Sequence, residues 1–358
     1  MLQLYAEVLT LNQRARSRLS ETVRFDTVVV AITDLETGQV GFGESAVNPP
    51  YTLTAAEVLV ELQLDAAPLA RDADVQVMLD RTRWLTPAAR SGVVAALVDL
   101  AGQARRQPVW QRWSASPDCP PSSITVTSAT LAELDEELAR LGPFRPAELK
   151  VRLAPTGDQA EHRRRLQLIS SRFPGCRLTA DLNACWSYDQ FLAATGYLAD
   201  CGVSRVEEPL SLDAPLAEYS ALARNTPFSL VADERLLQHS LDEIAQCFHE
   251  VNLKSTYYGG ILGIGSKMAR ARSRGLRICL GADRESSVGT TAIAHLGPMA
   301  DHLDIGSALM LADDPFSGIG WDGTRPVLGT EPGFGVRVVV PTKLSDHLGQ
   351  MLEHRSRV

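Results

Sequence analysis

The sequence predicts an α/β fold: a modified, TIM-like (β/α)-barrel preceded by an N-terminal α+β capping domain that the C-terminal tail completes. Three observations carry this. From Ser123 onward, about eight short apolar runs alternate with helical patterns, the rhythm of a parallel sheet wrapped by helices. Before Pro108 the strand-like runs are joined by turn residues, as in antiparallel pairing. No G-x-G-x-x-G follows a strand, which argues against a dinucleotide-binding open sheet. Eight repeats at this spacing suit a closed barrel of typically ~250 residues.

In chain order, Leu2–Leu11 alternates like a strand and is followed by a polar, Arg-rich stretch. Val23–Thr33 is β-branched, and the turn residues Asp34 to Gly38 return it into Gln39–Glu44 as a hairpin. Helical spacing covers Ala55–Leu69 and Pro87–Gln103. Pro108–Pro121, rich in Pro and Ser, reads as a linker. The strand and helix pairs then run Ser123–Ser128 with Leu131–Leu141, Ala147–Leu153 with Gln159–Phe173, and Arg177–Asp181 with Tyr188–Cys201. Val203–Val206 pairs with Leu216–Arg224, Phe228–Ala232 with Ser240–Cys247, Glu250–Lys254 with Ile264–Arg274, and Arg277–Leu280 with Thr290–Gly297. His302–Asp304 is the eighth strand. Gly329–Val340 turns β-branched and is expected to pair with the N-terminal sheet. The expected division is a cap over 1–118, a barrel over 119–322, and a tail over 323–358 that returns to the cap.

Composition narrows the partners. With 358 residues, 45% hydrophobic and 22% charged, the chain can bury a large core. A net charge of −8 argues against nucleic acid, which needs a basic surface. No apolar run nears the ~20 residues that span a bilayer. The N-terminus lacks a basic start, a continuous apolar stretch and a cleavage site. A cytoplasmic protein without membrane contact is expected, assembled as a homo-oligomer. The six cysteines form no CxxC pair and read as reduced, buried thiols.

Several strands end in acid or lysine. Asp181, Glu207 and Asp233 follow three consecutive strands, and Lys254 ends the next. In a parallel barrel all C-terminal strand ends meet on one face, where chemistry sits. One such acid could simply cap the next helix. Three together repel one another unless a cation binds them, and three hard oxygen ligands suit Mg²⁺ or Mn²⁺. A lysine beside that cation in a walled site is a usable general base for removing a proton next to a substrate carboxylate. The cation would stabilise the resulting enediolate.

With these residues in place, the sequence resembles the enolase superfamily, in its muconate-lactonising and mandelate-racemase-like branch. The matching segments are Glu148-Leu149-Lys150-Val151-Arg152, Thr179-Ala180-Asp181-Leu182-Asn183, Val206-Glu207-Glu208-Pro209-Leu210, Val231-Ala232-Asp233-Glu234, Val251-Asn252-Leu253-Lys254, Tyr258-Gly259-Gly260-Ile261 and Glu285-Ser286-Ser287-Val288-Gly289. Gly41-Phe42-Gly43-Glu44 is similar to the family's cap. The resemblance implies Mg²⁺ ligands at Asp181, Glu207 and Asp233, and the acid/base lysine at Lys254. It places substrate-selecting cap loops near Arg14–Thr22 and Ala46–Thr52, and substrate contacts at Asn183, Glu285 and Asp304.

Two departures shape the expected reaction. Many members carry Lys-x-Lys on the second strand; here the second position is Arg152, a guanidinium that stays protonated and shuttles protons poorly. Lys150, on the same strand face, is the nearby substitute. Dipeptide epimerases of the family show Asp-x-Asp where this chain has Asp304-Ile305-Gly306. The expectation is a one-base reaction on a small-molecule carboxylate: elimination, as in dehydratases and o-succinylbenzoate synthases, or cycloisomerisation. The alternatives are racemisation or epimerisation of an N-acylamino acid or dipeptide, and a non-catalytic binding protein that keeps the fold.

Overall fold

The β-branched alternation of the first 45 residues forms a three-stranded antiparallel sheet, β1 (Leu2–Gln13), β2 (Val23–Asp34) and β3 (Val40–Ser45), with β2 in the middle. The structure is a computed structural model and describes residues 2–13, 23–48, 52–64, 82–127, 130–153 and 159–355. Helix α1 (Ala55–Leu64) and helix α2 (Pro87–Ala104) cover one face of the sheet. Thr86 caps α2, with Pro87 at its first turn. The small residues of α2 let β3 lie almost on the helix backbone. A Cβ on Gly43 would stand 1.9 Å from the carbonyl oxygen of Gly92. The Arg14–Thr22 cap loop and the continuation of α1 toward Leu69 lie outside the described residues.

The expected linker is a packed segment. Val109–Arg112 forms a 3-10 turn that buries Trp110, whose backbone N–H donates to His295 Nδ1 (3.0 Å) and whose indole donates to the Gly329 carbonyl (3.0 Å).

The eight parallel strands then follow as expected: β4 (Ile124–Val126), β5 (Glu148–Arg152), β6 (Arg177–Asp181), β7 (Val203–Glu207), β8 (Ser229–Ala232), β9 (Glu250–Lys254), β10 (Arg277–Gly281) and β11 (His302–Asp304), in sequential order. A parallel bridge between Ser122 and Leu303 closes the ring. Helices lie between most strands. Capping boxes at Thr130, Ser187 and Ser240 start those at Leu131–Leu141, Tyr188–Asp200 and Leu241–Ile244.

Inside the barrel, side chains stack in layers of four drawn from alternate strands, here β5, β7, β9 and β11. Its lower layer is charged: Glu148, Arg205, Glu250 and His302. Arg205 pairs with Glu148 through Nη1 and with Glu250 at 2.9 Å, and His302 Nδ1 lies 3.3 Å from Glu148. Burial works against the Glu148 charge, but His302 and the guanidinium of Arg205 hold its carboxyl down at about 2.

The tail departs from the sequence reading. Gly329–Val340 does not join the cap sheet; only Arg337–Val338 is extended, and it pairs with Phe316–Ser317. The final helix, Lys343–Arg355, returns to the cap instead. It sets Leu344 and Leu348 against Val29, Ala31 and Phe42. Four cysteines are buried as expected, whereas Cys176 is half-buried and Cys185 exposed. Among the described residues, no helix is long and apolar enough to cross a membrane.

Candidate active site

Period-two alternation points Glu148, Lys150 and Arg152 of β5 into the barrel, and register aligns Arg152 with Asp181 and Asp181 with Glu207. Asp233 follows β8 directly. Lys254 and Asp304 end β9 and β11, both level with Gly281. The three expected ligands therefore face one space. Asp181, Glu207 and Asp233 are each almost fully buried.

Two lysines enter this cluster from opposite walls. Lys150 stands on the second strand of the ring and Lys254 on the sixth, four strands apart in a ring of eight. Lys150 Nζ lies 2.7 Å from Glu207 Oε1, 2.9 Å from Asp304 Oδ2 and 3.2 Å from Asp181 Oδ2. Lys254 Nζ lies 2.5 Å from Asp233 Oδ2 and 3.9 Å from Asp283 Oδ1, with its ammonium 5.4 Å from the Tyr257 ring centre. Burial opposes the charge on both amines. Asp181, Asp304 and Glu207 around Lys150, and Asp233 and Asp283 around Lys254, outweigh it and hold both well above the ordinary value. Burial, with the neighbouring acids, pushes Glu207 up to about 8 and Asp233 up to about 6, against the lowering effect of the lysines. Arg152 is half-exposed, with Nε 3.6 Å from Asp181 Oδ2.

Five carboxylates, Asp181, Glu207, Asp233, Asp283 and Asp304, stand against the two buried ammonium groups, and the guanidinium of Arg152 reaches Asp181 from the cavity side. Asp233 Oδ1 is buried without a hydrogen bond, a costly state for a carboxylate oxygen, and Asp181 Oδ2 is met only by the charges of Lys150 at 3.2 Å and Arg152 at 3.6 Å. An excess of hard, under-satisfied oxygens is the donor set that Mg²⁺ takes, so the residues fit the group. As they stand, no three acid, His or Cys side chains among the described residues close around a common point. The reason is visible: Lys150 sits between Asp181 and Glu207, and Lys254 holds Asp233.

The space opens into a cavity of about 680 Å³ between barrel and cap. Asn183 lines it, in a left-handed backbone (φ 44°) with its N–H donating to Asp181 Oδ1 (3.0 Å). Asp304 lines it too, accepting from Ser123 Oγ (2.8 Å). Glu285 differs from the sequence reading. It is fully buried off the cavity wall, beside Glu44 of the cap, because Gly289 leaves room for both carboxyls. Burial and the nearby Glu44 raise its pKa well above the ordinary value.

Sequence reasoning missed several residues in and behind the wall. Asn252 donates to Glu207 Oε1 (3.2 Å) and lies two residues before Lys254, so alternation alone could have found it. Asp283 accepts from Thr256 Oγ1 (2.7 Å) and from Asn48 Nδ2 of the cap (2.9 Å). That pairing spans 235 residues and left no local signal. From β2, Arg24, Phe25 and Asp26 face the cavity, as does part of the Ala46–Thr52 loop, through Val47 and Asn48.

Comparison with known proteins agrees with this architecture. Residues 7–112 match the mandelate racemase / muconate lactonizing enzyme N-terminal domain, and residues 131–339 match the family described as enolase C-terminal domain-like. An L-Ala-D/L-amino acid epimerase of Maribacter sp. is 28% identical over 316 residues, covering 85% of this chain and 90% of that protein. A hydrophobic dipeptide epimerase of a Flavobacteria bacterium is 27% identical over 318 residues, covering 87% and 90%. A dipeptide epimerase structure from Enterococcus faecalis superposes with a TM-score of 0.83 at 21% identity, covering 94% and 99%, a likeness of fold. Enzymes of this family generally use Mg²⁺. The chain is an enzyme of the enolase superfamily and belongs to its mandelate racemase / muconate lactonizing branch.

Proposed function

We propose that the protein epimerises or racemises a small carboxylate whose α-nitrogen is acylated, an N-acylamino acid or a dipeptide. The single observation that carries this is the pair of buried lysines on opposite walls of the acid cluster. Inversion at a carbon needs one group to remove a proton from one face and another to return a proton to the opposite face. The epimerase names of the 27–28% identical relatives support the same reading over elimination or ring closure.

Asp181, Glu207 and Asp233 would hold the Mg²⁺. When bound, it would supply positive charge to the substrate carboxylate and so lower the cost of losing the neighbouring proton. Asp233 sustains the charge on Lys254 while the two are paired; with Asp233 engaged as a metal ligand instead, Lys254 could act as the neutral amine and take the α-proton on one face. Lys150, as the ammonium, delivers one on the other, and the reverse reaction exchanges their roles. Arg152, a guanidinium and so a poor proton shuttle, steadies negative charge from the cavity side. Asn252 and Ser123 orient the acids that face Lys150.

The wall chemistry bears on the substrate. Asp304 already holds Lys150 and Ser123, and Gly306 offers no acid two residues on. A free ammonium group therefore finds no unengaged carboxylate from this strand, which favours an N-acyl group over the free amine of a dipeptide. The test is a panel of N-acylamino acids and dipeptides incubated with enzyme and Mg²⁺, with both configurations separated by chiral chromatography. Interconversion of an N-acylamino acid supports the reading. Formation of an alkene or a lactone instead would favour the one-base chemistry that Arg152, standing where many members carry lysine, suggests.

A further inference from the structure

Glu207 and Asp233 end consecutive strands, and the loops behind them are tied together by two side chains that the reaction does not use. Glu208 Oε1 accepts from the backbone N–H groups of Asp233 (2.7 Å) and Arg235 (2.9 Å). Arg235 answers in the opposite direction. Its Nη1 donates to the Ala214 carbonyl (3.0 Å), and its Nη2 donates to the Ser211 carbonyl and the Tyr219 hydroxyl, both at 2.8 Å. Its guanidinium lies 4.4 Å from the Tyr219 ring centre. Each residue thus bonds the backbone of the other's loop. Glu208 adopts a left-handed backbone (φ 39°), rare for a residue with a side chain. Its carbonyl accepts from the Ala184 N–H (3.0 Å), which brings in the loop behind Asp181. Both side chains are buried, at 0% and 1% exposure, and neither lines the cavity, so neither can touch substrate.

We propose that Glu208 and Arg235 are positioning residues, a reciprocal clamp that fixes the spacing of Glu207 and Asp233 and thereby sets the affinity of the site for a divalent cation. The inference rests on the metal-site reading above. The partners that orient ligand residues typically control metal affinity by 10–100-fold. Here the orientation acts through the backbone on either side of each ligand.

The test is Mn²⁺ titration of the metal-free full-length protein, with the melting temperature of each variant taken in EDTA to separate stability from affinity. Glu208→Gln keeps an acceptor oxygen and should bind Mn²⁺ within about threefold of the parent. Glu208→Met removes both bonds and should weaken binding about 10–100-fold. Arg235→Lys keeps the charge but reaches only one of the two carbonyls, and should weaken binding about tenfold. The clamp is overturned if either Glu208→Met or Arg235→Lys, once folded, binds like the parent. It is also overturned if Glu208→Gln falls as far as Glu208→Met. Should Glu208→Met fail to fold, Arg235→Lys decides. A parent protein that binds no Mn²⁺ at all sinks the metal site and the clamp together, and that outcome is read before any variant is made.

Discussion

His295 should make the protein acid-labile in a defined window. Its ring is buried where the barrel, the 109–112 turn and the tail meet, and its Nδ1 accepts the Trp110 N–H. Phe334 packs edge-on at 5.1 Å. Burial lowers the pKa from 6.5 to about 4. The folded state thus resists protonation while the unfolded chain accepts it. Stability is intact above pH 6.5 and drains away as pH falls toward 4, by about 3 kcal/mol in total and about 2 kcal/mol by pH 5. Asp99 sits at the same seam and opposes this. It accepts the N–H groups of Phe42 and Phe334, and burial raises it to about 6. The folded state therefore holds this proton more tightly, and stability rises by about 1 kcal/mol between pH 7 and 5. The two effects partly cancel in the parent. His295→Asn keeps an acceptor but cannot titrate. Urea unfolding at pH 7 and pH 5 should show the variant's deficit against the parent shrinking by about 2 kcal/mol at the lower pH. Parallel curves for the two proteins would refute the reasoning.

Three further outcomes are expected. Lys254→Ala should cut α-proton exchange by about 10²–10⁴-fold, measured by NMR, with Mn²⁺ binding retained; near-parental exchange would remove Lys254 from the chemistry. Arg205→Met should strand Glu148 and Glu250 in the barrel interior and cost about 3–5 kcal/mol in urea unfolding; a loss below about 1 kcal/mol would mean the charged layer is not interdependent. Gly43→Ala should push β3 off α2, since its Cβ would meet the Gly92 carbonyl at 1.9 Å, and lower the thermal midpoint by several degrees; an unchanged midpoint would contradict that close packing.

What the sequence discloses and what it hides divide along physical lines. That Asp181, Glu207, Asp233 and Lys254 gather in one place was legible because each ends or directly follows an apolar strand, and a parallel barrel brings strand ends to one face. Lys150 was legible as the nearby substitute for Arg152 because the two share a strand face, but its three carboxylate partners were not, since they come from three different strands. Arg205 and Glu250 alternate with apolar neighbours, and only ring closure makes them partners inside a barrel layer. Glu285 was misplaced because its burial depends on Glu44, 241 positions earlier in the chain. The tail does return to the cap, but the pairing of 329–340 was misread, because β-branched composition at 336–340 speaks for extended backbone and not for which edge it joins.

The most direct measurement of the central claim follows a single enantiomer of an N-acylamino acid in D₂O with Mg²⁺, by NMR for deuterium at the α-carbon and by chiral chromatography for configuration. The two-lysine account predicts deuterium entering as the opposite configuration appears, with both processes absent in Lys254→Ala and inversion absent in Lys150→Ala. Exchange that proceeds with full retention of configuration in the parent would contradict it and leave a single-base enzyme.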